Sequence, residues 1–600
     1  MKLHFWLAFL FLATALLCCE SGKRGCRQKR RRISDAEPAA SEDCPLNDRP
    51  LNDALKKKWA TGVMSSKDVQ ELAEAAMRQG ARGIDRMASI GTGGKWPQNT
   101  LRDLMQLLGR PAGSPPMDWF QIPTKRGAHT AHPFLLPHTF FKSLYQEATD
   151  VWISALRGAE GSSKEFWDAI SNSLYFKYHP NRHTQDWRRT IPLGLHGDAG
   201  AFSHQDSLMT VSWNSLVASG STTQKRFVLT VIRKSDMVAG TMDAIFKVAS
   251  WSFNILLSGV HPERNYHGMP APFTRGSKLA DGWCGSLCQI RGDWQFYVEV
   301  FLFPQWNCAD AMCWLCRASS VDPRLLWTDH RCCAGWRSTL WTHETYMQYL
   351  RDEGRPQPTL LAEVTGLRLE QIMIDILHTV DQGVSAHIIG NILWIVAVGR
   401  CFFGVGNMRE KVKKLNQHLQ DWYKRTKCPY RLQGPVTLER LRASSTAFPK
   451  LKGKAAAIRC LMPYALELAM AVCDGSDSDR TMVEIARLMV RFYDIVSSQS
   501  QFLTSAAKEE LPEIGQDLAD YYSKLSSEAF AAGKKLWTES PKLHLWEHLT
   551  EFQCLYFGNP RYYWCYADED LVGSMIEIAE TCHPNTLPVT VLFKWLHLFF

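Results

Sequence analysis

Three acidic residues have the types and the positions, relative to predicted strands and helices, that a metal-dependent phosphoryl-transfer site would require. Asp198 follows a strand-like run, Asp293 follows another, and Glu569 opens a late helical pattern. Carboxylates that meet from distant parts of a chain can hold two divalent cations, which polarise a phosphodiester and activate an attacking hydroxyl group. Carboxylate oxygens are the ligands that Mg²⁺ prefers. Each residue also has a structural interpretation: a turn residue for Asp198, a helix N-cap for Asp293, and a solvated charge at a helix N-terminus for Glu569.

A second candidate site is suggested by the spacing of two cysteines. Cys313 and Cys316 are separated by two residues, as zinc ligands often are, and His330 and His343 could complete a tetrahedral site. The competing ligands nearby are Cys308, Cys332 and Cys333. Buried thiols without a metal are the common alternative. The sequence therefore predicts a possible structural Zn²⁺ in this segment and leaves its ligands open.

The elements that would position the acids have a recognisable order. Three short β-rich runs occupy residues 190–197, 208–216 and 226–233. A helical pattern follows at 242–257, then a fourth strand at 286–291, and a helix from Trp294. From about residue 367 to residue 580 nearly everything has helical periodicity.

This order predicts an α+β fold that is predominantly helical overall. In the ribonuclease H-like fold, three antiparallel strands precede a helix and then further strands that alternate with helices. The metal-binding acids of that fold lie on the first strand, just after the fourth strand and on a late helix, which are the positions of Asp198, Asp293 and Glu569. We therefore expect a ribonuclease H-like core, a mixed sheet with flanking helices, interrupted by a large all-α insertion.

Several motifs in this order resemble those of CACTA-type and Plavaka-type DNA transposases. The likeness runs loosely from about residue 192 to residue 583. The motifs are IPLGLHGD at 191–198, the Cys/His block at 313–343, DILHTVDQGV at 375–384, the pair His544 and His548, and WCYADED at 564–570.

The resemblance implies a function and a set of site residues. It implies Asp198, Asp293 and Glu569 as a catalytic triad that holds Mg²⁺ or Mn²⁺, with DNA at transposon ends as the partner and a homo-oligomer as one possible state. Asp568 and Asp570 flank Glu569, so the identity of the third ligand stays open. The implied reaction is cleavage of DNA phosphodiester bonds followed by strand transfer, in a nuclear protein that is either active or an inactive relic.

The N-terminal sequence is compatible with more than one cellular localisation. The apolar run at residues 5–19 is typical of a secretory signal, whereas residues 23–32 carry seven Lys or Arg. Such a basic run is typical of a nuclear-import or phosphate-binding arm, and behind an apolar segment it could also orient a membrane anchor. The chain has a net charge of +9, of which residues 1–60 contribute +5. The remainder is close to neutral, so charge alone does not identify a nucleic-acid protein.

Length and cysteine usage limit the alternatives. A chain of 600 residues is expected to form two to four domains, and 22% charged residues are typical of a globular protein. Seven of the 18 cysteines fall between residues 284 and 333, a local cluster that suits reduced thiols or a metal better than a disulfide framework. No second apolar run looks long enough to span a membrane; the one at 388–398 contains Asn391 and stops at Arg400.

We divide the chain accordingly into six segments. They are a signal-like and basic disordered arm (1–60), a helical region (61–180), the first part of the core (185–305), a zinc-knuckle-like segment (306–345), a helical insertion (346–540) and the end of the core (541–600). Two alternatives to a transposase-like enzyme remain open. The chain could be a non-catalytic DNA- or protein-binding remnant, or a secreted or membrane-anchored helical protein.

Overall fold

The computed structural model describes residues 50–219, 223–271 and 275–600. The expectations for the apolar run at 5–19 and the basic run at 23–32 concern residues outside these ranges. The described chain is an α+β protein, mostly helical, with two small sheets. The predicted fold class is therefore confirmed at this level.

Helices make up most of the chain. In the first half they are Pro50–Ala60, Ser66–Arg78, Asp85–Ala88, Ile90–Gly93, Thr100–Leu108, Pro137–Glu147, Thr149–Val151, Ser162–Ala169, Leu174–Tyr178, Thr241–Ser258 and Trp294–Phe301. In the second half they are His343–Asp352, Thr359–Glu363, Ala386–Trp394, Met408–Thr426, Leu438–Leu441, Ala455–Cys460, Met462–Val472, Asp477–Ser498, Ser505–Ala531, Pro541–Glu547, Cys554–Phe557, Tyr566–Ala579 and Leu587–Phe599. Wider π-helical segments are Trp152–Arg157, Leu377–Ser385, Ile395–Gly399 and His548–Gln553, and short 3₁₀ helices are Pro97–Asn99, Trp187–Arg189, Thr223–Lys225, Lys234–Asp236, Gly335–Thr339, Leu369–Gln371 and Pro560–Tyr562.

The chain forms two compact units. The first contains residues 50–111, 577–586 and 593–600, and the second contains residues 112–576 and 587–592. In the first unit, Trp59, Val69 and Leu104 are buried in one apolar core. Its helix Ser66–Arg78 begins with a capping box, in which the Ser65 side chain and the N–H of Asp68 are hydrogen-bonded and the Asp68 carboxylate accepts from the N–H of Ser65.

The second unit contains both sheets. A hairpin pairs β1 (Asp118–Thr124) with β2 (Gly127–Phe134). The larger sheet has the order β5-β4-β3-β6, formed by β3 (Thr190–Ala201), β4 (Ser207–Ser215), β5 (Arg226–Arg233) and β6 (Cys284–Gly292). β3 pairs antiparallel with β4 and parallel with β6, and β4 pairs antiparallel with β5. The four predicted strands of this sheet are thus confirmed: β5 has the predicted bounds, and the bounds of the other three differ from the prediction by one to four residues.

Helices cover both faces of the larger sheet. Thr241–Ser258 packs on one face, and Phe296 lies beside it over Gly197, where a Cβ would be 2.1 Å from the ring. On the opposite face a Cβ at Gly200 would lie 2.1 Å from the side chain of Ile576. Residues three apart in a strand point to opposite faces, so the sheet is enclosed by helices on both sides. Glycine at these two positions allows the close approach.

Two expectations for the N-terminal third were wrong. The Gly and Pro content of residues 91–135 predicts a linker or loop, but these residues contain helix Thr100–Leu108 and the β1–β2 hairpin. Within 20–60, the stretch Pro50–Ala60 is a helix whose Leu55 and Trp59 are buried, although its charged composition suggested disorder. In both cases long-range packing outweighs the local composition.

Among the described residues two helical stretches are apolar and long enough to cross a membrane. They are Leu377–Gly399 and Ala455–Val472, and in their most apolar windows 67% and 50% of the residues are buried inside the protein. Core helices of globular proteins satisfy the same criterion.

Candidate functional site: a carboxylate cluster and a buried Cys/His group

Asp198 and Asp293 lie side by side on neighbouring strands of the larger sheet. Asp198 lies within β3, where it pairs with Thr210 of β4, rather than after the strand or in a turn, and Asp293 directly follows β6. Gly197 of β3 pairs with Gly292 of β6 in the parallel register, and the two acids follow these glycines directly. Neighbouring strands are about 4.8 Å apart, so the two carboxylates emerge from adjacent positions. Burial raises the pKa of Asp198, and the charge of Asp293 raises it further.

Asp293 also caps a helix, as its structural interpretation predicted. Its Oδ1 accepts the N–H of Phe296 at 2.7 Å and so begins helix Trp294–Phe301. One carboxylate oxygen makes this bond. Capping therefore fixes the direction of the side chain and is compatible with a ligand role for the other oxygen.

Glu569 approaches the two aspartates from a distant part of the chain. It lies in the first turn of helix Tyr566–Ala579 and is half-buried. Burial and then the charge of Asp198 raise the pKa of Glu569 to about 7; Asp293 adds to this rise and His378 opposes it. Like charges disfavour one another's ionisation. Electrostatic coupling thus links the three predicted acids, and we call Asp198, Asp293 and Glu569 the carboxylate cluster.

The two neighbours of Glu569 are placed differently. Asp568 is buried and bound by two arginines: Arg226 Nε lies 2.7 Å from Oδ1 and Arg291 Nε lies 3.1 Å from Oδ2. These cations hold the pKa of Asp568 below its usual range despite its burial. Asp570 is exposed. Of the three consecutive acids, Glu569 is the one that interacts with the acids of the sheet.

A histidine completes this cluster. His378 begins the π-helical segment Leu377–Ser385 with its Nε2 3.8 Å from Glu569 Oε1. Asp375 is buried, and its Oδ2 accepts both the Nδ1–H (2.8 Å) and the backbone N–H (3.0 Å) of His378. Burial opposes protonation, but the hydrogen bond and charge of Asp375 together with Glu569 raise the pKa of His378 to about 8. Asp375 thus holds the ring at Nδ1 and orients the imidazole towards Glu569.

A separate, fully buried group of metal-ligand type contains two cysteines and two histidines. The ligand atoms of Cys313, Cys316, His544 and His548 all lie within 4.8 Å of one another. His544 Nε2 is 3.1 Å from His548 Nε2, Cys316 Sγ is 3.3 Å from His544 Nε2, and Cys313 Sγ is 3.6 Å from His548 Nε2. This group could hold a metal ion.

The spacing of these atoms fits a tetrahedral ion. With Zn–S of about 2.3 Å and Zn–N of about 2.05 Å, tetrahedral geometry requires about 3.3 Å between nitrogens and about 3.6 Å between sulfur and nitrogen. The distance from Cys313 Sγ to His548 Nε2 matches this value. The distance between the two histidine nitrogens is about 0.2 Å shorter than required, and the distance from Cys316 Sγ to His544 Nε2 is about 0.3 Å shorter. The hydrogen-bonding neighbour Cys316 and the charges of His548 and His544 lower the pKa of the Cys313 thiol against the effect of burial, which favours the thiolate that a metal requires. Burial and the neighbouring Cys313 raise the pKa of Cys316, so without a bound ion only Cys313 is readily ionised.

Backbone and side-chain groups support this Cys/His group. The N–H of Leu315 points to Cys313 Sγ (3.3 Å) and the N–H of Ala318 to Cys316 Sγ (3.4 Å). Each donor comes two residues after its cysteine, so the loop wraps both sulfurs in the same way. Such outer contacts orient metal ligands.

The predicted histidine ligands have to be corrected. His330 is buried, but its Nδ1 bonds to Glu547 Oε2 at 2.8 Å, and it does not belong to the group. His343 is the first residue of helix His343–Asp352, and its Nδ1 accepts the N–H of Leu369. The competing cysteines Cys308, Cys332 and Cys333 are exposed.

The sequence contained a signal for the true partners. His544 and His548 are four residues apart and so lie on one helix face, which is the spacing of a two-histidine ligand pair. In the sequence analysis this histidine pair is only one of the motifs that resemble transposases. Nearness in sequence favoured His330 and His343, whereas the structure joins residues 228 positions apart.

A third set of ligand-type atoms, in His196, Cys565 and Asp568, is less suited to a cation. These atoms also lie within 4.8 Å of one another. The guanidinium groups of Arg226 and Arg291 already neutralise Asp568 and would repel a metal ion.

A scan against protein-family models gives no match, and a search of curated proteins gives no relative. The likeness to transposases rests on the motifs quoted above, and the function has to be argued from the geometry.

Proposed function

We propose that the chain is a transposase-like nuclease with a ribonuclease H-like core that cleaves DNA phosphodiester bonds and transfers the new ends. The observation that carries the proposal is the electrostatic coupling of Glu569 to Asp198 and Asp293. More than 270 residues separate Glu569 from Asp293 in the sequence. The sheet order supports it, because β3 is central, with an antiparallel neighbour on one side and a parallel neighbour on the other.

The three carboxylates would hold Mg²⁺ or Mn²⁺. Buried acids that raise one another's pKa gain most from a bound cation, and their hard oxygens suit these metals. Bound divalent cations polarise a phosphodiester and lower the pKa of an attacking hydroxyl group.

His378 supplies a proton donor at the same place. Its pKa of about 8 keeps the imidazole protonated at neutral pH, with the proton on Nε2 directed towards Glu569. An imidazolium there can donate to a phosphate oxygen or to a departing oxygen at the cluster. Asp375 keeps the ring in this orientation because it holds Nδ1.

We further propose that the Cys/His group holds a structural zinc. Its two cysteines and two histidines have the composition of a closed zinc site, and its spacing fits a tetrahedral ion. Such an ion would tie the segment that carries Cys313 and Cys316 to the helices that carry His544 and His548. The histidines precede Glu569 by about 20 residues, so the zinc would help to fix the last part of the core.

Nicking of supercoiled plasmid DNA in Mg²⁺ or Mn²⁺ tests the nuclease proposal. We expect Asp198→Asn, Asp293→Asn and Glu569→Gln each to reduce cleavage by more than about 100-fold, beyond the loss typical of an outer-shell residue. Asp570→Asn, an exposed neighbour, should cut within about two-fold of the wild type. Cleavage by Asp198→Asn at the normal rate would refute the assignment.

The same assay separates the nuclease from the remnant. A wild-type protein that binds DNA but cuts none in either metal would favour the non-catalytic DNA-binding alternative. A nuclease acting on chromosomal DNA would be a nuclear protein, and the basic run at residues 23–32 would add salt-sensitive contacts to phosphates.

A further inference from the structure

A small cavity opens beside the carboxylate cluster. It has a volume of about 250 Å³, and Asp293 and His378 form part of its wall. Its lining also includes four aromatic residues, Trp294, Tyr297, Trp306 and Trp314. Pockets for drug-sized ligands have volumes of about 300–1,000 Å³. This cavity therefore has room for one ring system and excludes a base pair.

Trp306 gives the cavity an exposed aromatic face. The residue lies in a turn after helix Trp294–Phe301 and is 60% exposed. Within the described part of the chain its ring stacks on no other aromatic ring, whereas Trp314 packs against Trp294 at a centroid distance of 4.9 Å. A large exposed ring at the mouth of a cavity is available to stack on a planar ligand, and every nucleobase presents such a face.

The rim of the cavity also carries a cation. Lys542 lines the cavity, and its Nζ donates to the carbonyl oxygen of His378 at 2.6 Å. In the part of the chain that the structure describes, Lys542 forms no ion pair with a carboxylate. The side-chain amides of Gln295 and Gln305 also line the cavity and can read the edge of a base.

We propose that this cavity binds one unpaired nucleotide of the DNA strand that is cut, with its base against Trp306 and a phosphate at Lys542. The proposal rests on the proposed nuclease function and extends it. The cavity adjoins Asp293, so the bound nucleotide would flank the scissile phosphate. Because a base pair does not fit, the nucleotide must leave the duplex stack, as it does in enzymes that extrude a base.

Binding of fluorescent DNA to the full-length protein tests the proposal without any cleavage. Two duplexes in EDTA are compared by fluorescence anisotropy, one fully paired and one with a single extrahelical 2-aminopurine nucleotide. We expect the wild type to prefer the duplex with the unpaired nucleotide by about 5- to 150-fold, the range for one stacked base. Binding should also quench the 2-aminopurine.

Substitutions of residues that line the cavity test whether it is the site that binds the unpaired nucleotide. Trp306→Ala should lose the preference and the quenching, whereas Trp306→Phe should keep much of both. Trp119→Ala is the matched control, because Trp119 is 51% exposed on β1 and does not line the cavity. Lys542→Gln should weaken binding of both duplexes and reduce the salt slope by about 1. A wild type without the preference, or a Trp306→Ala variant that retains it, would overturn the proposal.

The two proposals can fail separately. The Asp198→Asn variant should keep the preference for the unpaired nucleotide while it loses cleavage. A protein that shows the Trp306-dependent preference but never cuts would disprove the nuclease and leave the nucleotide site standing. A protein that cuts, but whose preference ignores Trp306, would disprove the nucleotide site alone.

Discussion

Substitution of Asp568 by Asn should show how much the buried ion pair behind the carboxylate cluster contributes to stability. The carboxylate lies between Arg226 of β5 and Arg291 of β6, and the side chains of Asp568 and Arg291 are 1% and 2% exposed. Asn has the same shape but no charge, so Arg291 would remain buried without a counter-ion. Removal of one partner of a buried ion pair costs about 3–5 kcal/mol. We expect a value near the lower limit, because the Asn oxygen can still accept one hydrogen bond.

Urea unfolding at pH 7, followed by tryptophan fluorescence, measures this loss. The pKa of Asp568 is lowered in the folded state from its ordinary 3.8. The stabilisation by the Asp568 ion pair is therefore complete at pH values well above 3.8. It is lost only as the pH falls through the pKa of Asp568 in the folded protein. Asp570→Asn is the control and should change the free energy of unfolding by less than about 0.5 kcal/mol.

A double variant separates the charge effect from a packing effect. If Asp568→Leu is combined with Arg291→Met, apolar groups replace the two fully buried charges. Most of the lost stability should return, because the remaining cation, Arg226, is 12% exposed and can turn towards water. A loss below about 1 kcal/mol for Asp568→Asn would contradict the reasoning, since Arg291 would then have to reach water. So would a double variant that is less stable than Asp568→Asn.

Three further outcomes follow from the geometry. Cys316→Ser should abolish the zinc content measured by inductively coupled plasma mass spectrometry, whereas His343→Ala should retain about one zinc per chain; equal zinc in both variants would rule out the assigned ligands. The pKa of Glu569 rises from 4.5 to about 7 on folding, so stability should fall as the pH rises between these values without divalent cations. The wild-type melting temperature should therefore drop more from pH 5 to pH 8 than that of Glu569→Gln, and parallel profiles would exclude this titration. Gly197→Ala should cost about 1–3 kcal/mol in urea unfolding because its Cβ meets the Phe296 ring, whereas Gly573→Ala, in a helix with open space around it, should gain up to about 1 kcal/mol.

The larger sheet could be predicted from the sequence because its strands are apolar and separated by turn residues. Residues 190–201 and 226–233 are rich in Ile, Leu, Val and Thr, and both are strands. Their order along the chain then indicated that Asp198 and Asp293 would be neighbours, as they are within β3 and just after β6. The β1–β2 hairpin was missed because Pro123 and Pro133 fall inside its strands. A two-stranded hairpin tolerates proline where the missing N–H is not needed, and composition does not show this.

The ligands of the Cys/His group were harder to predict. The spacing of Cys313 and Cys316 is local and visible, but their partners depend on how the late helices pack. Local spacing also could not show that His330 would form a hydrogen bond with Glu547 and so lie outside the Cys/His group. The choice among the acids at 568–570 was open for the same reason, since it depends on which of them Arg226 and Arg291 neutralise.

The span of the Cys/His group has a consequence for how the protein is made. Cys316 and His544 are 228 positions apart. At about 5–20 residues per second, a ribosome needs about 11–46 s to add the residues between them. Throughout that interval the two thiols are free and no four-ligand site exists, so a nascent chain that binds the proposed zinc would have to acquire it close to release. Cells starved of zinc should therefore accumulate full-length chains whose last 60 residues are vulnerable to proteases, even while synthesis proceeds at its usual pace.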